Sequence, residues 1–152
     1  MAAELVSASL MNTHVRDDLL AVTTWTDYTP VWSTTGSAPT LGNATIAGRY
    51  ISAGGLVKFR VRFVFGSTSA VGTGNFRFTV PVTSVALTVP AEFVGKIIDT
   101  GTTHYPAIGQ LATTTLFEVF HTTAVNTGIG AGVPITWATG DEINICGTYE
   151  AA

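Results

Sequence analysis

The sequence predicts a mainly β fold, an antiparallel β-sandwich or jelly-roll-like domain, preceded by one short N-terminal α-helix and an extended arm. Three observations predict it. The run "VKFRVRFVF" at 57–65 alternates apolar and basic residues with period two, placing Val57, Phe59, Val61, Phe63 and Phe65 on one face and Lys58, Arg60 and Arg62 on the other. "FRFTVPV" at 76–82 repeats the pattern, with Phe76, Phe78, Val80 and Val82 opposite Arg77 and Thr79. Only "SLMNTHVRDDLL", Ser9 to Leu20, has a helical period.

That segment comes first. Met11, Val15, Leu19 and Val22 recur at i, i+4, i+8 and i+11, the stripe of one helix face, and Leu20 broadens it. Ser7 or Ser9 can cap its N-terminus by accepting a backbone N–H bond. Arg16, Asp17 and Asp18 fall off the stripe, and the pattern ends near Val22, where β-branched residues take over. A helix of about 14 residues is marginal alone in water, so its apolar side must be covered. Leu10, Met11, Val15, Leu19 and Leu20 are therefore the expected attachment or oligomer interface. This divides the chain into a helical attachment segment (1–23), an extended arm (24–43) and a β-sandwich domain (44–152).

The arm, "TWTDYTPVWSTTGSAPTLGN", holds two prolines, two glycines and no clear period, and reads as irregular chain pinned by Trp25, Tyr28 and Trp32. Beyond it, strands are expected at about 44–53, 57–65, 76–82, 93–100, 104–112, 115–122 and 142–150. The glycine-bracketed "GSTSAVGTG" between the two patterned runs predicts that 57–65 and 76–82 pair antiparallel over an aromatic core. In the last strand Ile143, Ile145 and Tyr149 share a face, entered through the turn-like "TGDE". Seven or so short strands with glycine-rich connections suit a sandwich or a jelly-roll-like barrel.

Composition narrows the function. Of 152 residues, 11% are charged, against roughly 25% in ordinary soluble domains, and about one in six is Thr. Mean hydropathy is +0.39, yet no apolar run approaches the ~20 residues of a membrane helix. Faces buried between subunits of a homo-oligomer are the expected explanation. The net charge of −3 argues against nucleic acid, whose phosphates need a clustered basic excess. Cys146 is the only cysteine, so neither a disulfide framework nor a thiolate metal site is expected, which fits assembly in a reducing cytoplasm. Glu4, Asn12 and His14 interrupt any apolar leader core, so no secretory signal is expected.

Catalytic patterns are weak. The sequence has no His-Glu-x-x-His, nucleophile elbow or phosphate loop. "GIGAGVP" at 128–134 lacks the third glycine of a dinucleotide fingerprint and ends in Pro134, so it reads as a loop. Asp17 and Asp18 diverge by about 100° on a helix, and Asp141 and Glu142 lie at a turn and strand start. His14, His104 and His121 are scattered. No enzyme, metal site or cofactor is expected. Strand alternation sends the aromatics of "KFRVRFVF" inward, away from its cations, unlike a single-strand nucleic-acid platform. Arg60, Arg62 and Arg77 can instead form an intersubunit basic patch, facing Glu118 or Glu150 of a neighbour. Trp25, Tyr28 and Trp32 admit two readings, a glycan-stacking platform and aromatics buried at a sandwich end or interface. Asn43-Ala44-Thr45 matches a glycosylation acceptor but carries no meaning without a secretory signal.

The N-terminal "ASLMNTHVRDDLLAV" resembles a leader on virion proteins of actinobacterial tailed phages and prophages, of minor tail, fibre-like or capsid decoration type. "LGNATIAGRY", "FRVRFVFGSTS", "GTGNFRFTVPV" and "WATGDEINICGTYEAA" are similar to the small C-terminal β-domain of those proteins, so the resemblance spans nearly the whole chain. Asp18 stands where that pattern has Asn, and no long shaft separates leader from β-domain. The resemblance implies a non-enzymatic virion structural protein, a short fibre, knob or decoration made in the host bacterial cytoplasm and displayed on the virion surface. Its partners would be major capsid or tail proteins and its own copies, as a homotrimer. The alternative is a host-receptor or cell-wall glycan-binding module of a tail fibre, with Trp25, Tyr28 and Trp32 or the 66–74 loop as its site.

Overall fold

The computed structural model describes residues 7–86, 88–122 and 128–152. One helix, α1 (Ala8–Thr23), precedes nine strands: β1 (Thr26–Tyr28), β2 (Trp32–Thr34), β3 (Thr45–Ala53), β4 (Leu56–Val64), β5 (Phe76–Thr79), β6 (Glu92–Asp99), β7 (Thr103–Leu111), β8 (Leu116–His121) and β9 (Glu142–Glu150). The fold is mainly β, a curled antiparallel sheet of sandwich-like form, as the alternating runs require. Its strand order is β1-β3-β4-β9-β6-β7-β8-β5-β2.

Ser7 caps α1, its hydroxyl accepting from the Leu10 N–H at 3.1 Å, which settles the choice between the two serines. At the other end the Thr24 N–H donates to the Leu20 carbonyl before the chain turns extended. Alternation then sets the strand faces. In β4 the odd residues are buried and Lys58, Arg60 and Arg62 exposed. β3 and β4 join through Gly54 and Gly55, both at positive φ (58° and 79°), the conformation a two-residue hairpin turn demands.

The arm is more ordered than its sequence suggests. It supplies β1, paired to β3, and β2, paired to β5, the two outer strands of the whole sheet. Only Thr29, Pro30 and Val31 separate them, so the two sheet edges stand within about 14 Å along the chain, and the sheet must curl onto itself.

The expected pairing of 57–65 with 76–82 does not form. Both edges of β4 are occupied, by β3 and β9, and β5 sits between β8 and β2. The intervening loop is not a free hairpin but is stitched to the arm. Asn43 accepts from the Thr68 N–H (2.9 Å), the Thr73 hydroxyl accepts from the Ser37 N–H (2.8 Å), and Thr40 and Ala70 form a β-bridge. Strand β5 also stops at Thr79, just before Pro81, which has no N–H for a ladder.

The runs nonetheless meet across the core. Phe63 packs on Phe78 (centroids 5.8 Å) and Phe59 on Phe117 (5.5 Å), joining opposite halves of the curl. Trp32 seals one end against Phe63, Phe65 and Phe76. Phe59, which also contacts Phe93 and Tyr149, is 1% exposed. Phe59→Ala is therefore expected to lower unfolding free energy by about 3–5 kcal/mol, while Lys58→Ala, one residue away on the outer face, stays within about 0.5 kcal/mol. Urea denaturation of both variants checks this.

Candidate interaction site

The arm brings its three aromatics to three different places. Trp32 is 8% exposed and belongs to the core. Tyr28 lies edge-on to Tyr50 and directly over Gly48, where any Cβ would collide with its ring, and burial raises its phenol above the ordinary range. Trp25 lies over the Arg60 guanidinium, 4.7 Å from ring centroid to Cζ. They form no shared stacking platform.

The basic trio also divides. Arg60 and Arg62 stand on the outer face of β4, whereas Arg77 lies on β5, with β9, β6, β7 and β8 between them. Arg77 donates to Glu118 within its own chain at 2.9 Å, and Asn75 donates to the same carboxylate. Glu118 is only 7% exposed, so it satisfies this cluster rather than waiting for a neighbouring subunit. The physical reason is register: Arg77 faces Glu118 directly across the β5–β8 pair.

A different basic cluster appears instead. Register aligns Arg49, Arg60, Cys146 and Val94 in one row across β3, β4, β9 and β6, and Ala47, Arg62, Asn144 and Lys96 in the next. With Lys58, five of the seven lysines and arginines of the chain share this outer face. The same face also bears Asp27, Glu92, Glu142 and Glu150, so the cations are partly balanced and concentrate around its centre. Sequence alternation placed Arg60 and Arg62 there, but nothing in the sequence brings Arg49 and Lys96 beside them, because that depends on which strands pair.

Between these side chains runs a groove of about 650 Å³. Ala47, Val94, Gly95 and Cys146 form a floor of small or apolar groups, and Arg49, Arg60, Arg62 and Lys96 stand around it. The surface inside is overwhelmingly apolar, as expected where arginine stems lie along a sheet and hold their charged heads at the rim. Val94 is 68% exposed and lies beside the exposed Ile108 of β7, extending the apolar row beyond the groove.

The rim charges differ in their partners. Arg49 pairs with Asp27 at 2.5 Å, and Arg62 grips Glu142 through two nitrogens, Nε to Oε2 at 2.9 Å. Hydrogen bonding from Arg62 holds the Glu142 carboxyl down at about 2 despite some desolvation, with Asn144, Arg62's charge and Lys96 adding to the effect. Among the described residues Arg60 meets the Trp25 ring and makes no ion pair. Lys58 and Lys96 make no ion pair among the described residues.

On α1, Leu10, Met11, Val15, Leu19, Leu20 and Val22 are 50–62% exposed. The helix lies alongside β3, but among the described residues nothing covers its stripe. Asp17 pairs with Arg16, whereas Asp18 makes no ion pair among the described residues.

Other candidates have local roles. Asp141, 2% exposed, accepts from the backbone N–H groups of Thr100 (3.0 Å) and Ala138 (2.7 Å) and so closes the turn into β9. Tyr149, pushed up to about 12 chiefly by burial, clamps Val82 by donating to its carbonyl and accepting from its N–H. Gly128–Pro134 forms isolated bridges to Asn75 and Phe120 and opens no helix. Among the described residues no three His, Cys, Asp or Glu side chains gather for a metal ion, and no helix is long and apolar enough to cross a membrane.

No protein-family model matches the chain, and no curated protein or solved structure matches it. The two unpartnered surfaces, helix stripe and groove, are what remains to be explained.

The Arg62–Glu142 pair yields a pH prediction. A carboxylate lowered from 4.5 to about 2 contributes stability that is fully present above pH 4.5 and is lost as pH falls through 2. Wild type should exceed Glu142→Gln by less than about 1 kcal/mol at pH 6, since Arg62 is largely exposed. The difference should vanish between pH 4.5 and 2, measured by urea denaturation across that range.

Proposed function

We propose that this chain is a non-enzymatic structural protein of a tailed-phage particle. In this reading it is a short knob or decoration protein on the capsid or tail surface, homotrimeric, with its N-terminal segment as the attachment and assembly element. The observation that carries the reading is α1. A capped 16-residue helix leaves Leu10, Met11, Val15, Leu19 and Leu20 at least half exposed, and such a stripe is unfavourable in water unless a partner covers it.

Supporting it are the resemblance of the leader and β-domain motifs to actinobacterial phage virion proteins, and a low charged fraction of 11%. The carboxylates also serve structure. Asp141 closes a turn, Glu118 satisfies Arg77 and Asn75, and Glu142 pairs with Arg62. The β-domain, with its own aromatic core, projects outward.

Substituting Met11, Val15 and Leu19 together by Ser is expected to abolish incorporation into particles. These side chains are 60–62% exposed, so β-domain unfolding free energy should shift by no more than about 0.5 kcal/mol per site. Incorporation is read by immunoblot of purified particles and folding by circular dichroism. Wild-type incorporation of the triple variant overturns the reading.

A further inference from the structure

We infer that the groove across β3, β4, β9 and β6 is the seat for α1 of a neighbouring copy of this chain. This rests on the proposed homo-oligomer and names the surface it uses. Each copy gives one helix and receives one, a heterologous contact that closes as a ring when the rotation between copies is a third of a turn. The ring, rather than the single chain, then meets the particle.

The two surfaces match in chemistry. An apolar floor with a cationic rim suits an amphipathic helix that carries acid beside its apolar stripe. α1 has that form, since Asp18 lies three residues beyond Val15 and seven beyond Met11, on the same side. Among the described residues Asp18 makes no ion pair, and neither do Lys58 and Lys96 on the face that would receive it.

They also match in size. The stripe from Met11 to Val22 is about 16 Å long at 1.5 Å per residue. The floor crosses four strands, about 14 Å at the usual spacing, and the row continues onto Ile108. A groove whose outward side chains include Ala47 and Cys146 leaves room for Val, Leu and Met side chains where larger residues would fill it.

The helix of the same chain is tied to the β3 side of the sheet, beside the groove. Two residues separate α1 from β1, Trp25 of that link is stacked on Arg60, and Thr26 is in register with Tyr50. This anchors the helix alongside β3 with its stripe outward, towards another molecule.

Cys146, the single cysteine of the chain and part of the floor, permits a direct test on purified protein without particles. Met11→Cys, Val15→Cys and Leu19→Cys are made singly and oxidised mildly, with Arg16→Cys as the off-stripe control. At least one stripe variant should yield a covalent trimer on non-reducing gels, abolished by adding Cys146→Ser, whereas wild type can yield no more than a dimer. Val94→Asp should turn a trimer into a monomer by native mass spectrometry while its circular dichroism spectrum remains that of the folded sheet. A trimer by mass with no linkage through Cys146 overturns the groove assignment and leaves the homotrimer standing. A linkage within one chain, or a monomer whose particle incorporation still requires the stripe, also overturns it, the latter by making the particle the helix's partner. Failure to enter particles in wild-type form counts against the proposed function instead.

Discussion

The structure depends on a three-residue span. Thr29, Pro30 and Val31 join the strands at opposite ends of the nine-stranded order, and a chain that short cannot reach across a flat sheet about 38 Å wide. Curling is therefore imposed by connectivity, and the core is what fills the curl. Seven of the eight phenylalanines form this core, their rings meeting edge-on, tilted or stacked at centroid separations of 4.6–6.2 Å. The same span seats Trp32 in the core at one edge while Tyr28 packs on Gly48 at the other.

Curling also decides where charge goes. With the inner face dominated by aromatic and aliphatic side chains, the lysines and arginines of the strands lie outside, and antiparallel register stacks them in rows. Two of the resulting pairs differ in kind. Arg77 and Glu118, largely withdrawn from water and joined by Asn75, form a satisfied cluster whose members cannot be removed singly without stranding a buried charge. Arg62 and Glu142 lie at the rim, where water weakens the attraction. Between the rim charges the sheet floor is made of small side chains, so the surface is basic at its edge and apolar within.

Helix stripe and groove are two surfaces of one molecule that the described residues leave open. A capped helix with an uncovered stripe and a sheet face with an uncovered floor each carry the free-energy cost of exposed apolar area, and both costs fall if one covers the other. The link at Trp25, stacked on Arg60, ties each helix to β3 of its own chain, so in the proposed assembly that cover comes from a neighbouring copy.

Much was legible because it is local. The seven expected strands fall within a few residues of β3 to β9, period-two alternation sorted the faces of β4, β5 and β9, and the i, i+4 stripe with Ser7 located α1. β1 and β2 were not legible, since three-residue strands carry no period, and their neighbours Pro30 and Gly36 read as irregular chain. The groove was half legible: alternation exposes Arg60 and Arg62, while Arg49, Lys96 and Cys146 join them only through pairing. The sequence by itself determined which face each side chain takes, because Cβ direction alternates along any extended backbone. Only the tertiary structure decided which strands lie side by side, because each ladder joins residues far apart in the chain. That is why β4 lies against β9 and not β5, and why the cations form a rim around an apolar floor.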